Sequence, residues 1–295
     1  MKAHGQALRI PCVVLALSIA TIAADSSNPN LKFTQVNIPG AVSTSANGIN
    51  NAGVIVGSYE DSGNAYHGFI MDGSTLTTLD DPNGTNTNAS DLNANGTVQV
   101  VGSYTNSAGK SAGFLYSNGV YTDIPGPTGA VSSFASDIND NGVIVGGYTD
   151  SSNVTRAYVL KEGKYSTLGI YMAAITIASG INDDGYFTLW YVDGLSGVTQ
   201  SRIYNSNTGT YQVMNVPGAM DSLALDINNA GDVAYEWTDA NYVGHGAVLH
   251  QGNFHKLDYP GSVYDYAQGI NDNLQIVGGY EAVSNGPLLG FEASK

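Results

Sequence analysis

Apolar residues in this chain come in short runs, such as Val54-Ile55-Val56 and Val143-Ile144-Val145, each bounded by Gly, Asn, Asp, Ser or Pro. No window keeps a helical period, and turn-forming clusters recur every eight to twelve residues, so the pattern predicts an all-β chain of short strands. One stretch, Gly48-Ile49-Asn50-Asn51-Ala52-Gly53-Val54-Ile55-Val56-Gly57-Ser58-Tyr59, returns five more times. Its aliphatic residue stands at 49, 92, 138, 181, 227 and 270, in steps of 43, 46, 43, 46 and 43 residues. A fixed period of this size marks one supersecondary unit repeated six times. Asn follows the aliphatic residue in every copy and Gly comes three residues later in all but the last, where Leu274 stands. Asx at the first position and Gly at the fourth specify a type I turn, and the Asn side chain fixes it by bonding the backbone two residues on. In the last copy Asn273 is expected to take the left-handed conformation in place of Gly. Ala precedes the aliphatic residue by three positions in all six copies (Ala46, Ala89, Ala135, Ala178, Ala224 and Ala267), which implies a crowded place.

Each unit resolves into four strands. In the first they are 45–50, 53–59, 66–71 and 76–80, and a Pro-Gly connection leads onward. Four-stranded units at this period predict a single six-bladed β-propeller over residues 32–295. The sixth copy stops after its third strand, at Gly290-Phe291-Glu292. Its missing fourth strand is expected at the other end, as Phe33-Thr34-Gln35-Val36-Asn37-Ile38-Pro39-Gly40, which matches Tyr211 to Gly218 and would close the ring.

Residues 1–24 have the form of a secretory signal: Lys2 and Arg9, then an apolar run too short for a membrane span, closed by Ala23-Ala24. Residues 25–31 are a polar leader. The expected destination is the extracellular medium or a periplasm, with no membrane span. Cys12, the only cysteine, lies inside the signal, so the mature chain needs no disulfide. The formal charge of −15 argues against nucleic acid and anionic membranes as partners. A monomer is expected, with an extracellular glycan or protein as its partner.

The Asn-x-x-Gly turn followed by Val-Ile-Val-Gly, with a later His67-Gly68-Phe69, resembles the HAF repeat of bacterial extracellular proteins. The likeness covers residues 32–295 and is clearest in copies one, three and six. Copies four and five depart from it, with Tyr186-Phe187-Thr188-Leu189 and Asp232-Val233-Ala234-Tyr235 in place of Val-Gly-rich runs. The resemblance implies a secreted, propeller-like repeat protein and carries over no catalytic residue.

Four kinds of chemistry are open to these residues. Asp137-Ile138-Asn139-Asp140-Asn141-Gly142 and Asp91-Leu92-Asn93-Ala94-Asn95-Gly96 begin like calcium loops, but the late carboxylate is missing, and turn capping accounts for them. His67, His245, His250 and His255 have no metal-ligand spacing. No nucleophile elbow, phosphate loop or dinucleotide fingerprint is present. A carboxylate pair of the glycosidase kind stays open, giving a carbohydrate-active hydrolase as the alternative to a non-enzymatic binding module or a structural surface protein. The fourth is an aromatic residue ending the second strand of each unit: Tyr59, Tyr104, Tyr148, Tyr191, Trp237 and Tyr280. Asp61, Asn106, Asp150, Asp193 or Asp239 follows two positions later in all but the last copy. Aromatic faces with carboxylates and amides suit sugar hydroxyls, so this rim is the candidate carbohydrate site; the competing reading is that the rings fill the wedge between blades. No cofactor or metal is expected. Chelators and reductants should therefore leave the melting midpoint unchanged, and an upward or downward shift of several degrees with EDTA would reveal a bound ion.

Overall fold

The structure, a computed structural model, describes residues 31–94 and 96–295; the expected secretory signal and most of the expected leader lie outside the described residues. Twenty-four strands are described in it. β1 (Lys32–Val36) comes first. The first unit adds β2 (Ser43–Ile49), β3 (Ile55–Glu60), β4 (Tyr66–Asp72) and β5 (Thr75–Leu79). The second has β6 (Gly84–Leu92), β7 (Gln99–Asn106), β8 (Ser111–Ser117) and β9 (Val120–Ile124), and the third β10 (Ala130–Ile138), β11 (Ile144–Asp150), β12 (Thr155–Lys161) and β13 (Lys164–Leu168). The fourth has β14 (Ile175–Ile181), β15 (Tyr186–Val192), β16 (Thr199–Asn205) and β17 (Thr210–Val213), and the fifth β18 (Asp221–Ile227), β19 (Val233–Thr238), β20 (Gly244–His250) and β21 (Asn253–Leu257). The sixth has β22 (Tyr264–Ile270), β23 (Ile276–Glu281) and β24 (Leu289–Ser294). Among the described residues there is no helix, and so none long and apolar enough to cross a membrane.

Within each unit neighbouring strands pair antiparallel in chain order. The first strand of each unit is innermost, and β2, β6, β10, β14, β18 and β22 adjoin one another in a cycle that returns from β22 to β2. β1 pairs antiparallel with β24, with Lys32 opposite Ser294 and Val36 opposite Gly290, and so supplies the fourth strand of the last unit. The sheet count differs from the six separate sheets that the spacing predicts: there are four four-stranded sheets and one eight-stranded sheet. In the latter, units three and four are joined by one parallel bridge, Thr155 to Ile175, beside a hydrogen bond of 3.1 Å from Thr155 N–H to the Ala174 carbonyl. The cause is legible in the connection. Residues 169–174, Gly-Ile-Tyr-Met-Ala-Ala, lack the proline found before each of the other units (Pro39, Pro82, Pro125, Pro217 and Pro260), so nothing there denies the chain an extended, paired course.

The six inner-strand alanines are fully buried, as their invariance predicts. Phe69, Phe114, Tyr158, Phe187, Tyr235 and Phe291 fill the interior of the units. Two positions before each alanine stands a buried polar residue: Thr44, Thr87, Ser133, Thr176, Ser222 or Asp265. Several of these tie down the incoming connection: Thr87 Oγ1 accepts from Asp81 N–H (2.8 Å), Ser222 Oγ from Val216 N–H (3.0 Å), and Asp265 Oδ2 from Tyr259 N–H (3.2 Å). In the last turn Leu274 itself, with φ at 57°, takes the left-handed conformation that was expected of Asn273. Gly occupies the same place in the first turn, with φ at 80° for Gly53.

The turn asparagines do more than fix their own turns. Each buried Asn accepts backbone N–H groups of its turn at Oδ1 (for Asn50, from Ala52 at 3.0 Å and Val54 at 3.1 Å). Each then donates Nδ2 to the backbone carbonyl of the equivalent Asn in the next unit. The series runs Asn50 to Asn93 (3.3 Å), Asn93 to Asn139 (3.4 Å), Asn139 to Asn182 (2.9 Å), Asn182 to Asn228 (3.1 Å), Asn228 to Asn271 (3.0 Å) and Asn271 back to Asn50 (2.9 Å). A closed circuit of six hydrogen bonds thus girdles one end of the axis.

Removing residues 25–40 would unpair β24 and expose the contacts of Val36 and Ile38, both buried. Burial of two such side chains implies a loss of at least about 3 kcal/mol, read from urea unfolding. An unchanged midpoint would contradict closure by β1.

Candidate functional site

The rim aromatics divide into two groups. Tyr104, Tyr148, Tyr191 and Tyr280 are 5 to 7% exposed and belong to the packed clusters between neighbouring units, so these four are core and offer no face to a sugar. The ring widens toward its periphery, and their bulk fills the wedge. Tyr59 and Trp237 are half-buried. The acidic and amide residues that follow them are also committed elsewhere. Asp61 Oδ1 accepts from Gly63 and Ala65, Asn106 Oδ1 from Ala108 and Lys110, Asp150 Oδ1 from Ser152 and Val154, Asp193 Oδ1 from Leu195 and Ser196, and Asp239 Oδ1 from Asn241 and Val243. They cap the loops between second and third strands, and these backbone hydrogen bonds hold Asp61, Asp150, Asp193 and Asp239 below the usual carboxylate range. The second oxygen of Asp61 and of Asp239 faces a histidine. His67 lies between Asp61 (3.5 Å) and Asp80 (2.7 Å) with Tyr59 stacked on its ring at 5.1 Å. His245 lies between Asp239 (3.5 Å) and Asp258 (3.3 Å) with Trp237 at 4.8 Å. The bond to Asp80 raises His67 above its usual value. In both places the imidazole covers one face of the aromatic ring and the carboxylates turn to the imidazole, so these are small ion-paired clusters.

The same end of the molecule does carry a concavity, on the axis. It is a funnel of about 410 Å³. β2 and β6 supply Ser45, Asn47, Asn88 and Ser90, and β22 supplies Tyr264, Tyr266 and Gln268. Glu236 from β19, Glu281 from β23 and Leu288 complete the lining. Inner strands alternate buried and partly exposed residues, and the partly exposed set faces the funnel. At the register of Ser45, Asn88 and Tyr266 the other three units carry Phe134, Ile177 and Leu223. The lining is therefore polar on the side of units six, one and two, with apolar residues at the same register in units three, four and five.

The funnel residues are held in place. Tyr266 Oη lies 2.9 Å from Ser45 Oγ, Ser45 Oγ donates to Asn47 Oδ1 at 2.6 Å, and Asn47 Nδ2 donates to Asn88 Oδ1 at 2.8 Å. Tyr264 Oη donates to Glu236 Oε1 at 2.9 Å. Burial raises Glu236 above the usual carboxylate range, and burial joined by Glu236's charge raises Tyr264. Glu281 Oε2 accepts from Asn285 N–H at 3.1 Å. Glycines make room for the two rings: a Cβ at Gly279 would stand 2.7 Å from Tyr266 Oη, and one at Gly244 would strike the Tyr264 ring.

At the opposite end of the axis, beneath the asparagine circuit, a cavity of about 80 Å³ contains three carboxyls that single-loop reasoning kept apart. Asp91, Asp137 and Asp226 each bring one oxygen within 4.8 Å of the others. They alternate irregularly with Gly48, Gly180 and Gly269 at the same register, because a side chain on a glycine would collide: a Cβ at Gly180 would lie 2.6 Å from Asp226 Cα. Asp226 accepts from Ile227 N–H (2.6 Å) and, across the unit boundary, from Ile270 N–H (2.8 Å). Asp137 does the same for Ile138 and Ile181. A hard cation takes six or more oxygens, whereas these carboxylate oxygens already serve backbone N–H groups, so the donor set fits shared protons and not a metal cage. Burial raises all three, and the charge of Asp137 adds to the rise of Asp91 and Asp226; Asp226 is pushed up to about 8.

No protein-family model and no curated protein matches the chain. Solved structures do. A fungal lectin from Aleuria aurantia, described as a six-bladed β-propeller with a novel mode of fucose recognition, superposes with a TM-score of 0.51 at 12% identity, over 88% of this chain and 93% of that one. SapL1 lectin in complex with α-methyl fucoside gives 0.54 at 9% identity, over 86% and 94%. A putative TolB from Agrobacterium tumefaciens gives 0.56 at 12%, over 85% and 90%. At these identities the likeness establishes the fold, an all-β propeller.

The axial carboxyls make a pH prediction. Burial and the charge of Asp137 push Asp226 up to about 8 from an ordinary 3.8, so between these values the native state holds more protons than the unfolded state. Stability should accordingly fall as pH rises from about 4 through about 8. Asp91→Asn, which keeps an oxygen for Leu92 N–H and removes one charge from the cluster, should flatten that slope and raise the melting temperature at pH 8. A steeper slope in the variant would contradict proton sharing.

Proposed function

We propose that the chain is a secreted, non-enzymatic binding module whose ligand is a saccharide seated in the axial funnel. Its architecture in this reading is six-bladed: the eight-stranded sheet counts as two blades, since a single bridge at Thr155 and Ile175 joins two complete four-stranded units. The secretory signal over residues 1–24 and the resemblance to the HAF repeat support an extracellular setting.

The observation that carries the reading is the asymmetry of the funnel. One side offers hydroxyls, amides and tyrosine rings, and the same register in the other units offers Phe134, Ile177 and Leu223. A pyranose has the matching make-up, with hydroxyls around its edge and C–H groups on its face. The volume lies within the range of roughly 300–1,000 Å³ usual for small-molecule pockets. Two fold neighbours, one named as a lectin in complex with α-methyl fucoside and one as a lectin with a novel fucose recognition mode, support a saccharide. One observation favours a second reading, a carbohydrate-active hydrolase. Glu236 and Glu281 share the funnel, and burial holds Glu236 toward its protonated form, as a general acid requires.

A glycan array with the mature chain, followed by calorimetry on the best ligand, tests the reading. Tyr266→Ala should weaken binding by about 1–3 kcal/mol, the scale of a lost aromatic anchor. Trp237→Ala, on the rim, should leave it unchanged. Binding lost with Trp237 and kept without Tyr266 would return the site to the rim. Release of reducing sugar from a bound oligosaccharide, abolished by Glu236→Gln, would favour the hydrolase.

A further inference from the structure

We propose that the funnel selects a saccharide carrying a primary ammonium group, an amino sugar, over its neutral counterpart; the proposal rests on the saccharide reading of the same cavity. The argument begins with charge. Glu236 and Glu281 both line the funnel, and no Lys, Arg or His stands among its lining residues. Some acidic side chains elsewhere have a cation close by: Asp61 and Asp80 at His67, Asp150 at Arg156, Asp258 at Lys256. The funnel pair has no such cation. Glu236 uses Oε1 for Tyr264 and Glu281 uses Oε2 for Asn285, and neither second oxygen takes a hydrogen bond from the described residues. Two carboxylates in a concave, partly desolvated site project a negative field that disfavours anions and favours a cation.

Geometry narrows the kind of cation. A bare metal ion would want converging oxygens, whereas the two glutamates come from different units and share their cavity with aromatic rings. The Tyr264 and Tyr266 centroids lie 5.8 Å apart with planes inclined by 49°, two π faces beside the carboxylates. Carboxylate and π face together are what an ammonium group is recognised by. Around them Ser90 and Gln268 keep their polar groups free of side-chain hydrogen bonds within the described residues, available to ligand hydroxyls. The complementary ligand therefore bears an ammonium and several hydroxyls on one compact ring.

The test is calorimetric titration of the full chain with three matched pairs at neutral pH and low salt: glucosamine and glucose, galactosamine and galactose, mannosamine and mannose. At least one amino sugar should bind about tenfold or more tightly than its parent hexose. That advantage should vanish in Glu281→Gln and in Glu236→Gln, while Tyr266→Ala weakens both members of the pair. Two charge-neutralising variants are used so that a folding defect in one, checked by circular dichroism, leaves the other informative. If hexose and amino sugar bind equally and both depend on Tyr266, the ammonium inference is overturned and the saccharide reading stands. If no pair binds, or binding ignores Tyr266→Ala, both are overturned.

Discussion

Six asparagine side chains, each donating to the backbone carbonyl of the next, form the interaction on which this molecule depends. A repeat protein whose units touch only their neighbours needs something to fix the angle between them. Here the same amide that shapes the local turn through Oδ1 reaches across the unit boundary through Nδ2. Each such bond contributes only about 1 kcal/mol net, but a buried amide or carbonyl left without its partner costs about 1–3 kcal/mol. Closure of the circuit means that no Asn is left over. The turn end of the axis holds a cavity of about 80 Å³, and the end toward the connections holds the funnel of about 410 Å³.

Much of this was legible because it repeats. Asn50 and its counterparts, the inner alanines and the displaced strand 32–36 recur at fixed spacing, and invariance across copies in one chain reads directly as shared geometry. The turns read as local devices, though, and their second hydrogen bond spans 43 or 46 residues, or 221 where the circuit closes, which no local pattern displays. The axial carboxyls escaped for the same reason: Asp91 and Asp137 each begin a calcium-like loop that reads as turn capping within its own turn, while they meet each other, and Asp226, across units. The funnel escaped for the opposite reason. Its residues stand where the copies differ: Ser45, Asn88, Phe134, Ile177, Leu223 and Tyr266 occupy one register. Comparing copies for sameness finds the scaffold, and comparing them for difference at inward-facing positions is what points to the site. The rim series Tyr59 to Tyr280 was too regular to be a specific site, and four of its rings prove to be wedge-filling core.

The acidity of the chain has a structural distribution. Loop-capping aspartates hold backbone N–H groups and are stabilised as anions. Axial aspartates bridge backbone groups of adjacent units and are driven toward the protonated form. The two funnel glutamates, Glu236 and Glu281, fall in neither class and line the axial concavity.

Native-state hydrogen exchange tests the central claim most directly. The reporters are the amides of Val54, Gln99, Val143, Tyr186, Asp232 and Gln275, each of which donates to a ring asparagine. If the circuit is one closed structure, Asn228→Ala should lower protection at all six, including Val54 and Gln99 on distant units. Loss of protection confined to the turns of units five and six would mean that each asparagine serves only its own turn and its immediate neighbour, and that the ring is held by other means.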